Sequence, residues 1–289
     1  MMSRVFKDLP YKRKKARIIL DDGREFGGRV FSSGGVRYAE IIFNTGMVGY
    51  QEILTDPSYT GQAVVMTYPL LGNYGINKED NESRKIFLEA IICKEYIDRP
   101  SNWRANKTLK EYLEERNILG IDQVDTRALT KHIRNKGASK PAITVFDDPL
   151  DTYVANLKKT NVIERFNVVK YASCDQTFLW TLPSNPEFKV AVIDCGIKLN
   201  ILRYLRDFNC ALTVYNCETH FEEILDKGYD GVFISNGPGD PEPLYNVSEI
   251  VKNLLGKLPI FGICLGHQIL GKALGISNYK LKFGHHGIN

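Results

Sequence analysis

The feature that most constrains the fold is a regular alternation of apolar runs and amphipathic segments in the second half of the chain. Apolar or β-prone runs occur at 190–194, 211–215, 231–235 and 259–263. Helical patterns follow them at 200–207, 221–226, 248–255 and 267–274. Apolar strands that alternate with helices indicate a parallel sheet covered on both faces. Because ligands of such sheets bind at the carboxyl ends of the strands, chemistry is expected in the loops that follow them.

The first half of the chain has a mixed pattern that begins with a hairpin signal. Two β-prone runs, 17–20 and 24–31, flank the pair Asp22-Gly23. Such pairs are typical of hairpin turns, because Gly and Asp tolerate the positive φ that these turns need. A further strand is predicted at 39–43.

Two helix starts are predicted from capping residues. Thr108 and Glu111 have the spacing of a capping box, in which each side chain satisfies an amide that the helix start leaves unpaired. This helix is predicted to run to Gly120. Asp125 predicts the start of a second helix, at 126–136.

Length and composition favour two domains. The chain has 289 residues, of which 43% are hydrophobic and 25% charged, as in ordinary globular proteins. Residues 1–172 are interpreted as a mixed α/β domain with a basic extension at 1–15. Residues 173–188 are irregular and contain two prolines, so they are predicted to be a linker. Residues 189–289 are then the parallel-sheet domain.

Charge and cysteine content exclude several classes of protein. Five of the 38 Lys and Arg residues lie at 12–17, and the remaining 33 nearly balance the 34 Asp and Glu. This distribution argues against nucleic-acid binding, and the basic run is typical of a solvated tail. No apolar segment is long enough for a membrane span or a secretory signal, so a cytoplasmic location without membrane contact is expected. The six cysteines have no C-x-x-C spacing, which predicts reduced thiols rather than disulfides or zinc.

The strongest chemical signal is a cysteine between two glycines at the end of an apolar run. Cys264 follows the predicted strand at 259–263 and precedes a helical pattern, with Gly262 and Gly266 on either side. This is the thiol counterpart of the nucleophile elbow, a sharp strand-to-helix turn that exposes the central side chain. A helix N-terminus favours the thiolate, and the amide of Leu265 is free to donate to an oxyanion. The alternative is a buried cysteine whose neighbours are glycines only for tight packing.

A second loop, Ser-Asn-Gly-Pro-Gly-Asp-Pro at 235–241, follows the preceding predicted strand. By itself it is typical of an ordinary turn rich in Gly and Pro. It is expected, however, at the same sheet edge as Cys264, where its backbone amides can approach a ligand closely. An amide from Gly237 beside that of Leu265 would complete an oxyanion hole for acyl transfer.

Two weaker signals are interpreted as structural. Cys195 also follows a strand, but Ile193 stands where an elbow requires its leading glycine, so Cys195 is predicted to be a core residue. The segment 266–272 has the spacing of a phosphate-binding loop. Because Ala273 stands where that loop needs a hydroxyl and the intervening residues have a helical pattern, no ATP site is expected in this chain.

Longer stretches resemble a known family. Residues 261–268, Phe-Gly-Ile-Cys-Leu-Gly-His-Gln, together with the 235–241 loop, resemble the class I glutamine amidotransferase domain. Further segments are similar to the small subunit of glutamine-dependent carbamoyl-phosphate synthase, namely 43–59, 67–69, 72–75, 125–127 and 283–287. The resemblance runs from about Ala16 to the last residue. It implies a mixed α/β small-subunit domain followed by a flavodoxin-like parallel-sheet amidotransferase domain.

The resemblance implies the glutaminase subunit of a ligase. In the implied reaction Cys264 attacks the side-chain amide of L-glutamine, ammonia leaves, and water hydrolyses the glutamyl thioester. Ammonia then passes through a channel to a large subunit, which makes carbamoyl phosphate from ammonia, bicarbonate and ATP. Magnesium or potassium is expected on that subunit, and no cofactor is expected in this chain. The product serves arginine and pyrimidine biosynthesis.

The resemblance also assigns glutamine-contacting positions, which are Ser58, Gly237, Gly239, Leu265 and Gln268. Gly237 and Leu265 are implied as the oxyanion donors. Apart from the resemblance, Ser58, in Asp-Pro-Ser-Tyr, is typical of a turn hydroxyl.

One departure from the family concerns the general base. The family places a His-x-Glu arrangement well after the Gly-His-His-Gly segment, whereas this chain stops at Asn289. The histidines of the chain are His132, His220, His267, His285 and His286. No His-x-Glu triplet follows Cys264, so the amidotransferase domain is expected to be incomplete at its C-terminus. The 289-residue chain is then expected to have almost no glutaminase turnover, because removing one member of such a group costs orders of magnitude.

Three hypotheses remain open. The first is the glutaminase half of carbamoyl-phosphate synthase. The second is a catalytically incomplete scaffold or allosteric subunit that supports a large subunit fed by free ammonia. The third is a stand-alone thiol hydrolase of the same α/β fold, which is disfavoured because a free hydrolase needs no partner-binding half.

Overall fold

The computed structural model describes residues 13–137, 141–144, 150–159 and 167–281, which form two central sheets and a separate pair of short strands. The strands are β1 (Lys15–Ile19), β2 (Glu25–Val30), β3 (Val36–Tyr38), β4 (Glu40–Asn44), β5 (Gln62–Met66), β6 (Leu70–Leu71), β7 (Ala90–Ile92), β8 (Glu95–Tyr96), β9 (Leu119–Asp122), β10 (Ala142–Thr144), β11 (Phe178–Thr181), β12 (Phe188–Asp194), β13 (Cys210–Asn216), β14 (Gly231–Ile234) and β15 (Ile260–Gly262). The helices are α1 (Tyr50–Thr55), α2 (Leu109–Glu114), α3 (Thr126–Lys136), α4 (Leu150–Lys159), α5 (Val169–Ala172), α6 (Leu199–Asp207), α7 (Glu222–Leu225), α8 (Tyr245–Leu254) and α9 (Leu265–Ala273). Within the described ranges, no helix is long and apolar enough to cross a membrane.

Most of the basic extension, at 1–12, and the Gly-His-His-Gly segment near the end of the chain lie outside the described residues.

The larger sheet belongs to the first half of the chain and has the strand order β3-β10-β1-β2-β9-β7-β5-β4. Strands β9, β7, β5 and β4 are parallel, and the remaining pairs are antiparallel. β1 and β2 form the hairpin predicted around Asp22-Gly23, with Ile19 opposite Glu25 and Gly23 at a φ of 83°. The strand predicted at 39–43 is confirmed as β4.

Both faces of this sheet are buried, because neighbouring residues of a strand point to opposite sides. Ile41 and Val65 lie in the core that packs against α3, whereas Ile42 and Val64 lie in the core that packs against α1 and α2. Helices on both faces of a mixed sheet make this an α/β domain, as predicted.

The two predicted helix starts are confirmed in atomic detail. Thr108 accepts the amide of Glu111 and the Glu111 carboxylate accepts the amide of Thr108, which completes the capping box of α2. Asp125 caps α3 by accepting the amide of Ala128 at 2.9 Å. These local side-chain bonds explain why both helices begin where the sequence predicts.

The predicted end of α2 is wrong. The helix ends at Glu114, Asn117 takes a left-handed φ of 54°, and the chain continues into β9. Gly120 lies inside that strand, where a Cβ atom would lie 2.5 Å from the ring of Phe31. The glycine interpreted as a helix stop therefore allows a strand to approach an aromatic ring closely.

The smaller sheet has the order β11-β13-β12-β14-β15, in which all strands but β11 are parallel. Counted along the chain, the parallel strands have the flavodoxin-like order 2-1-3-4. α8 and α9 cover one face and α6 packs on the other. The predicted parallel-sheet α/β architecture is confirmed.

The segment at 173–188, predicted to be irregular, contains β11. Phe178 of this strand lies antiparallel to Val214 of β13 at the edge of the sheet. Both prolines follow the strand, so they do not interrupt its pairing. Because an edge strand has only one partner, its pattern is easily hidden by neighbouring turn residues.

An apolar groove of about 450 Å³ lies between α6 and the strands β14 and β15. Phe261, in β15, is 64% exposed beside it. Within the described residues, this face of the smaller sheet is therefore incompletely covered.

Candidate active site

Cys264 lies at the junction between β15 and α9, where it is the N-cap of the helix. Its φ of 53° and ψ of −112° are strained for a residue with a side chain, as at nucleophile elbows. A Cβ at Gly262 would lie 2.5 Å from the backbone of Gly266, and one at Gly266 would lie 2.2 Å from the Ile234 carbonyl oxygen. The tight turn therefore requires both glycines. Cys264 is the one exposed residue among the six cysteines, all of which are free thiols.

Opposing electrostatic effects act on this thiol. Although Cys264 reaches solvent, the protein on its other sides removes water from the thiolate, and this burial raises the pKa of the thiol above its ordinary value. The backbone amide of Leu265 lowers that pKa, Asp56 raises it and Lys198 lowers it. The predicted effect of the helix start is present, because the Leu265 amide lowers the pKa, but burial outweighs it.

The 235–241 loop lies beside the turn that carries Cys264, since β14 and β15 are neighbouring parallel strands. Its start is held by Asn236, whose Oδ1 accepts the amide of Lys198 at 3.2 Å. A Cβ on Gly237 would lie 2.9 Å from Cδ2 of Leu265. The two residues implied as oxyanion donors thus lie side by side. Gly239 has a φ of 83°, a backbone conformation that favours glycine.

Ser58 reaches the site from the first domain. It lies in a 3-10 turn, Pro57–Tyr59, which Asp56 caps by accepting the Ser58 amide at 2.8 Å. Nδ2 of Asn236 donates to Ser58 Oγ at 3.1 Å, a bond between residues 178 positions apart. The candidate site is therefore built by both domains.

Sequence reasoning missed Asp56, Lys198 and Asn236. Nζ of Lys198 lies 3.7 Å from Oδ2 of Asp56, and both groups act on the thiol of Cys264. Lys198 follows β12, whose carboxyl end lies at the same sheet edge as those of β14 and β15, so the strand-end rule could have found it. In the sequence Asp56 precedes a proline, a pattern that indicates only a turn.

Gln268 lies on α9 one helical turn after Cys264. Its amide donates to the Cys264 carbonyl at 3.0 Å, and the residue is exposed. Residues four apart share a helix face, so the Gln268 side chain lies on the same face of α9 as Cys264.

The two halves of the chain match two families. Residues 18–143 match the family described as carbamoyl-phosphate synthase small chain, CPSase domain, and residues 191–289 match glutamine amidotransferase class-I. The carbamoyl phosphate synthase small chain of Syntrophotalea carbinolica is 47% identical over 287 residues, which cover 95% of this chain and 76% of that protein. The chain belongs to the carbamoyl-phosphate synthase small chain family.

Other small chains of the family are similar to nearly the same degree. The small chain of Synechococcus sp. is 45% identical over 291 residues, which cover 96% of this chain and 74% of that protein. The pyrimidine-specific small chain of Bacillus subtilis is 44% identical over 276 residues, which cover 95% of this chain and 74% of that protein. The likeness therefore extends over both domains.

Two features that resembled other motifs, Cys195 and the segment 266–272, have structural roles. Cys195 is fully buried, and burial holds the pKa of its thiol well above the ordinary value, as expected of a core cysteine. The residues between Gly266 and Lys272 are helical, as predicted, rather than a loop. Among the described residues, no cluster of three or more His, Cys, Asp or Glu side chains is arranged to hold a metal ion.

The described histidines bond residues other than Cys264 or are exposed. Nε2 of His132 lies 3.0 Å from Asp22 in the first domain, and His267 is exposed on α9. His220 and Glu222 also have the His-x-Glu spacing, but they precede Cys264, and the His220 amide donates to the Glu223 side chain. Within the described part of the chain, no histidine has a hydrogen bond or ion pair with Cys264. His285 and His286 lie outside the described residues.

Proposed function

We propose that the chain is the glutaminase subunit of a glutamine-dependent carbamoyl-phosphate synthase. The observation that carries this proposal is the position of Cys264 on a strained strand-to-helix turn beside Gly237, with Ser58 of the other domain bonded to the same loop. Membership of the small chain family and the class I amidotransferase match support the same reaction.

In the proposed reaction the sulfur of Cys264 attacks the side-chain carboxamide carbon of L-glutamine. The amides of Gly237 and Leu265 stabilise the negative charge that develops on the carboxamide oxygen. The carbon–nitrogen bond then breaks, the nitrogen takes a proton, and ammonia leaves a γ-glutamyl thioester. Water hydrolyses the thioester to glutamate and restores the thiol.

The other residues of the site hold the substrate in the proposed reaction. Ser58, Gly239 and Gln268 contact glutamine and orient it. Because burial raises the pKa of the Cys264 thiol, attack near neutral pH needs a general base, as in other thiol enzymes.

The ammonia is proposed to pass through a channel to a large subunit. That partner makes carbamoyl phosphate from ammonia, bicarbonate and ATP, with magnesium or potassium on its own sites, and the product serves arginine and pyrimidine biosynthesis. Five of the six cysteines are buried and all are free, which fits the proposed cytoplasmic location.

A second candidate is a non-catalytic subunit that binds and supports an ammonia-dependent large subunit. The observation that favours it is the raised pKa of the Cys264 thiol, which leaves less thiolate to attack glutamine. The two candidates differ in whether Cys264 is needed for synthesis from glutamine.

The test is synthesis of carbamoyl phosphate by the complete protein in complex with its large subunit, driven by glutamine or by ammonium salt. Cys264→Ser is expected to abolish glutamine-driven synthesis and to leave ammonia-driven synthesis unchanged. Cys195→Ala is the matched control, because it removes the other thiol that follows a strand, and it is expected to retain both activities.

Loss of both activities in Cys264→Ser would refute the glutaminase assignment. Glutamine-driven synthesis that survives in Cys264→Ser would refute Cys264 as the nucleophile. Glutamine-driven synthesis that is absent from the unmodified complex, while ammonia-driven synthesis is present, would instead support the non-catalytic candidate.

A further inference from the structure

Lys272 lies in the last turn of α9, the helix whose N-cap is Cys264. Its ammonium group donates to the carbonyl oxygens of Pro241 at 3.2 Å and Glu242 at 2.5 Å. It also lies 3.3 Å from the Glu242 carboxylate and 4.4 Å from the centre of the Tyr245 ring. Pro241 ends the 235–241 loop, Glu242 follows it, and Tyr245 is the first residue of α8.

These contacts distinguish Lys272 from an ordinary surface lysine. An ammonium has three N–H donors, and the three oxygens of Pro241 and Glu242 account for them. The side chain is only 17% exposed, whereas lysines that merely solvate a surface extend their ammonium into water. A phosphate-binding role does not fit either, because the ammonium already faces oxygen acceptors and an aromatic ring.

The 235–241 loop is fastened at its start and at its end. At its start, Ser235 Oγ accepts the amide of Cys195 at 2.8 Å, which ties the loop to the end of β12, and Asn236 bonds Lys198 and Ser58. At its end, Lys272 holds Pro241 and Glu242 against α9. Gly237 and Gly239 lie between these points and have no side chain of their own to anchor them. The position of the Gly237 amide therefore depends on both fastenings.

We propose that Lys272 is a positioning residue that holds the 235–241 loop in register with the Cys264 helix. The proposal rests on the proposed function, because it concerns the oxyanion hole for glutamine. α9 fixes the Leu265 amide directly at its first turn and the Gly237 amide indirectly, through Lys272 at its last turn. A displacement of about 1 Å at such a donor can cost about 100-fold in rate.

The test compares two alkylating reagents on the same thiol, in the full chain. Iodoacetamide needs only an accessible thiolate. The chloromethyl ketone analogue of L-glutamine also needs its carbonyl oxygen in the oxyanion hole. In both reactions the sulfur forms a bond to carbon and halide leaves. The ratio of the two second-order rate constants therefore reports the position of the 235–241 loop, independently of the exposure and the pKa of the thiol.

In Lys272→Met, which keeps the length and the apolar stem, the rate with the glutamine analogue is expected to fall by about tenfold to 100-fold. The rate with iodoacetamide is expected to stay within about twofold, since the thiol itself is untouched. Lys272→Arg should restore most of the loss. The matched control is Lys252→Met, which breaks the exposed pair with Glu249 on α8 and is expected to change neither rate.

Unchanged rates with both reagents in Lys272→Met would overturn the proposal, and so would equal losses with both. If that variant does not fold, Lys272→Gln, which keeps a neutral donor, is measured in the same way and judged by the same ratio. If the unmodified chain does not distinguish the L-analogue from its D-enantiomer, the proposed function fails together with this proposal. Enantiomer selectivity with no effect of Lys272→Met overturns the positioning role alone.

Discussion

At the scale of single residues, Cys264 shows how groups from both domains act on one thiol. Asp56 comes from the turn that carries Ser58, Lys198 follows β12, and Leu265 starts α9. The glycines on either side of Cys264 predicted the sharp turn from sequence, because close backbone approach leaves a local pattern. Burial of the thiol left no such pattern, since it depends on protein that packs around it from distant parts of the chain. This is why the sequence predicted the effect of the helix start on the pKa but not the burial that outweighs it.

The charges beside Cys264 lead to a prediction about how the reactivity of its thiol depends on pH. Lys198→Met removes a positive charge that lowers the pKa of the thiol, so the pKa is expected to rise further. Asp56→Asn removes a negative charge that raises it, so the pKa is expected to fall. The measurement is the rate of reaction with iodoacetamide as a function of pH, whose midpoint should move up in the first variant and down in the second.

Ser58→Ala serves as the control for this pair, because it alters the same turn without changing a charge. Its midpoint should equal that of the unmodified chain. Midpoints that move in the same direction in Lys198→Met and Asp56→Asn would contradict the electrostatic account.

At the scale of elements, the sequence predicted those helices and strands whose boundaries are set by local chemistry. Capping residues predicted the starts of α2 and α3, and the alternation of apolar runs predicted the parallel strands of the second sheet. The errors occurred where a distant partner decides the structure. Gly120 belongs to a strand because Phe31 packs against it, and β11 forms because β13 offers a free edge.

The N-cap of α3 gives a prediction for stability. Asp125→Ala removes the acceptor of the Ala128 amide, and the free energy of unfolding is expected to fall by about 1 kcal/mol. Arg127→Ala, an exposed change in the first turn of the same helix, is the control and is expected to have a smaller effect. Urea unfolding followed by circular dichroism measures both. Equal losses would show that the cap is not the cause.

At the scale of the whole molecule, the two domains meet at a buried carboxylate beside the site. Glu82, 7% exposed, accepts the amide of Leu199 on its carbonyl at 2.8 Å and that of Asn200 on its carboxylate at 3.0 Å. These bonds satisfy the first turn of α6, whose own N-cap residue, Lys198, supplies no side-chain bond. The sequence could not have predicted this contact, because its partners lie more than a hundred residues apart and neither shows a capping pattern.

Because Glu82 joins the two domains, its replacement is expected to weaken the coupling between them. Glu82→Ala leaves the Asn200 amide without its partner, so the free energy of unfolding is expected to fall by about 1–3 kcal/mol. Glu82→Gln, which keeps an acceptor, is expected to lose less. The control is Glu79→Ala, which breaks an exposed ion pair with Arg104 and should change stability little. A loss in Glu79→Ala as large as that in Glu82→Ala would contradict the coupling.

The most direct test of the central claim, that Cys264 is the nucleophile of a glutamine site, is covalent labelling of the full chain. The chloromethyl ketone analogue of L-glutamine is added, and the modified residue is located by mass spectrometry of peptides. The account predicts one adduct, on Cys264, whose formation is slowed by L-glutamine but not by D-glutamine. An adduct on any other cysteine, or labelling of Cys264 that L-glutamine does not slow, would contradict it.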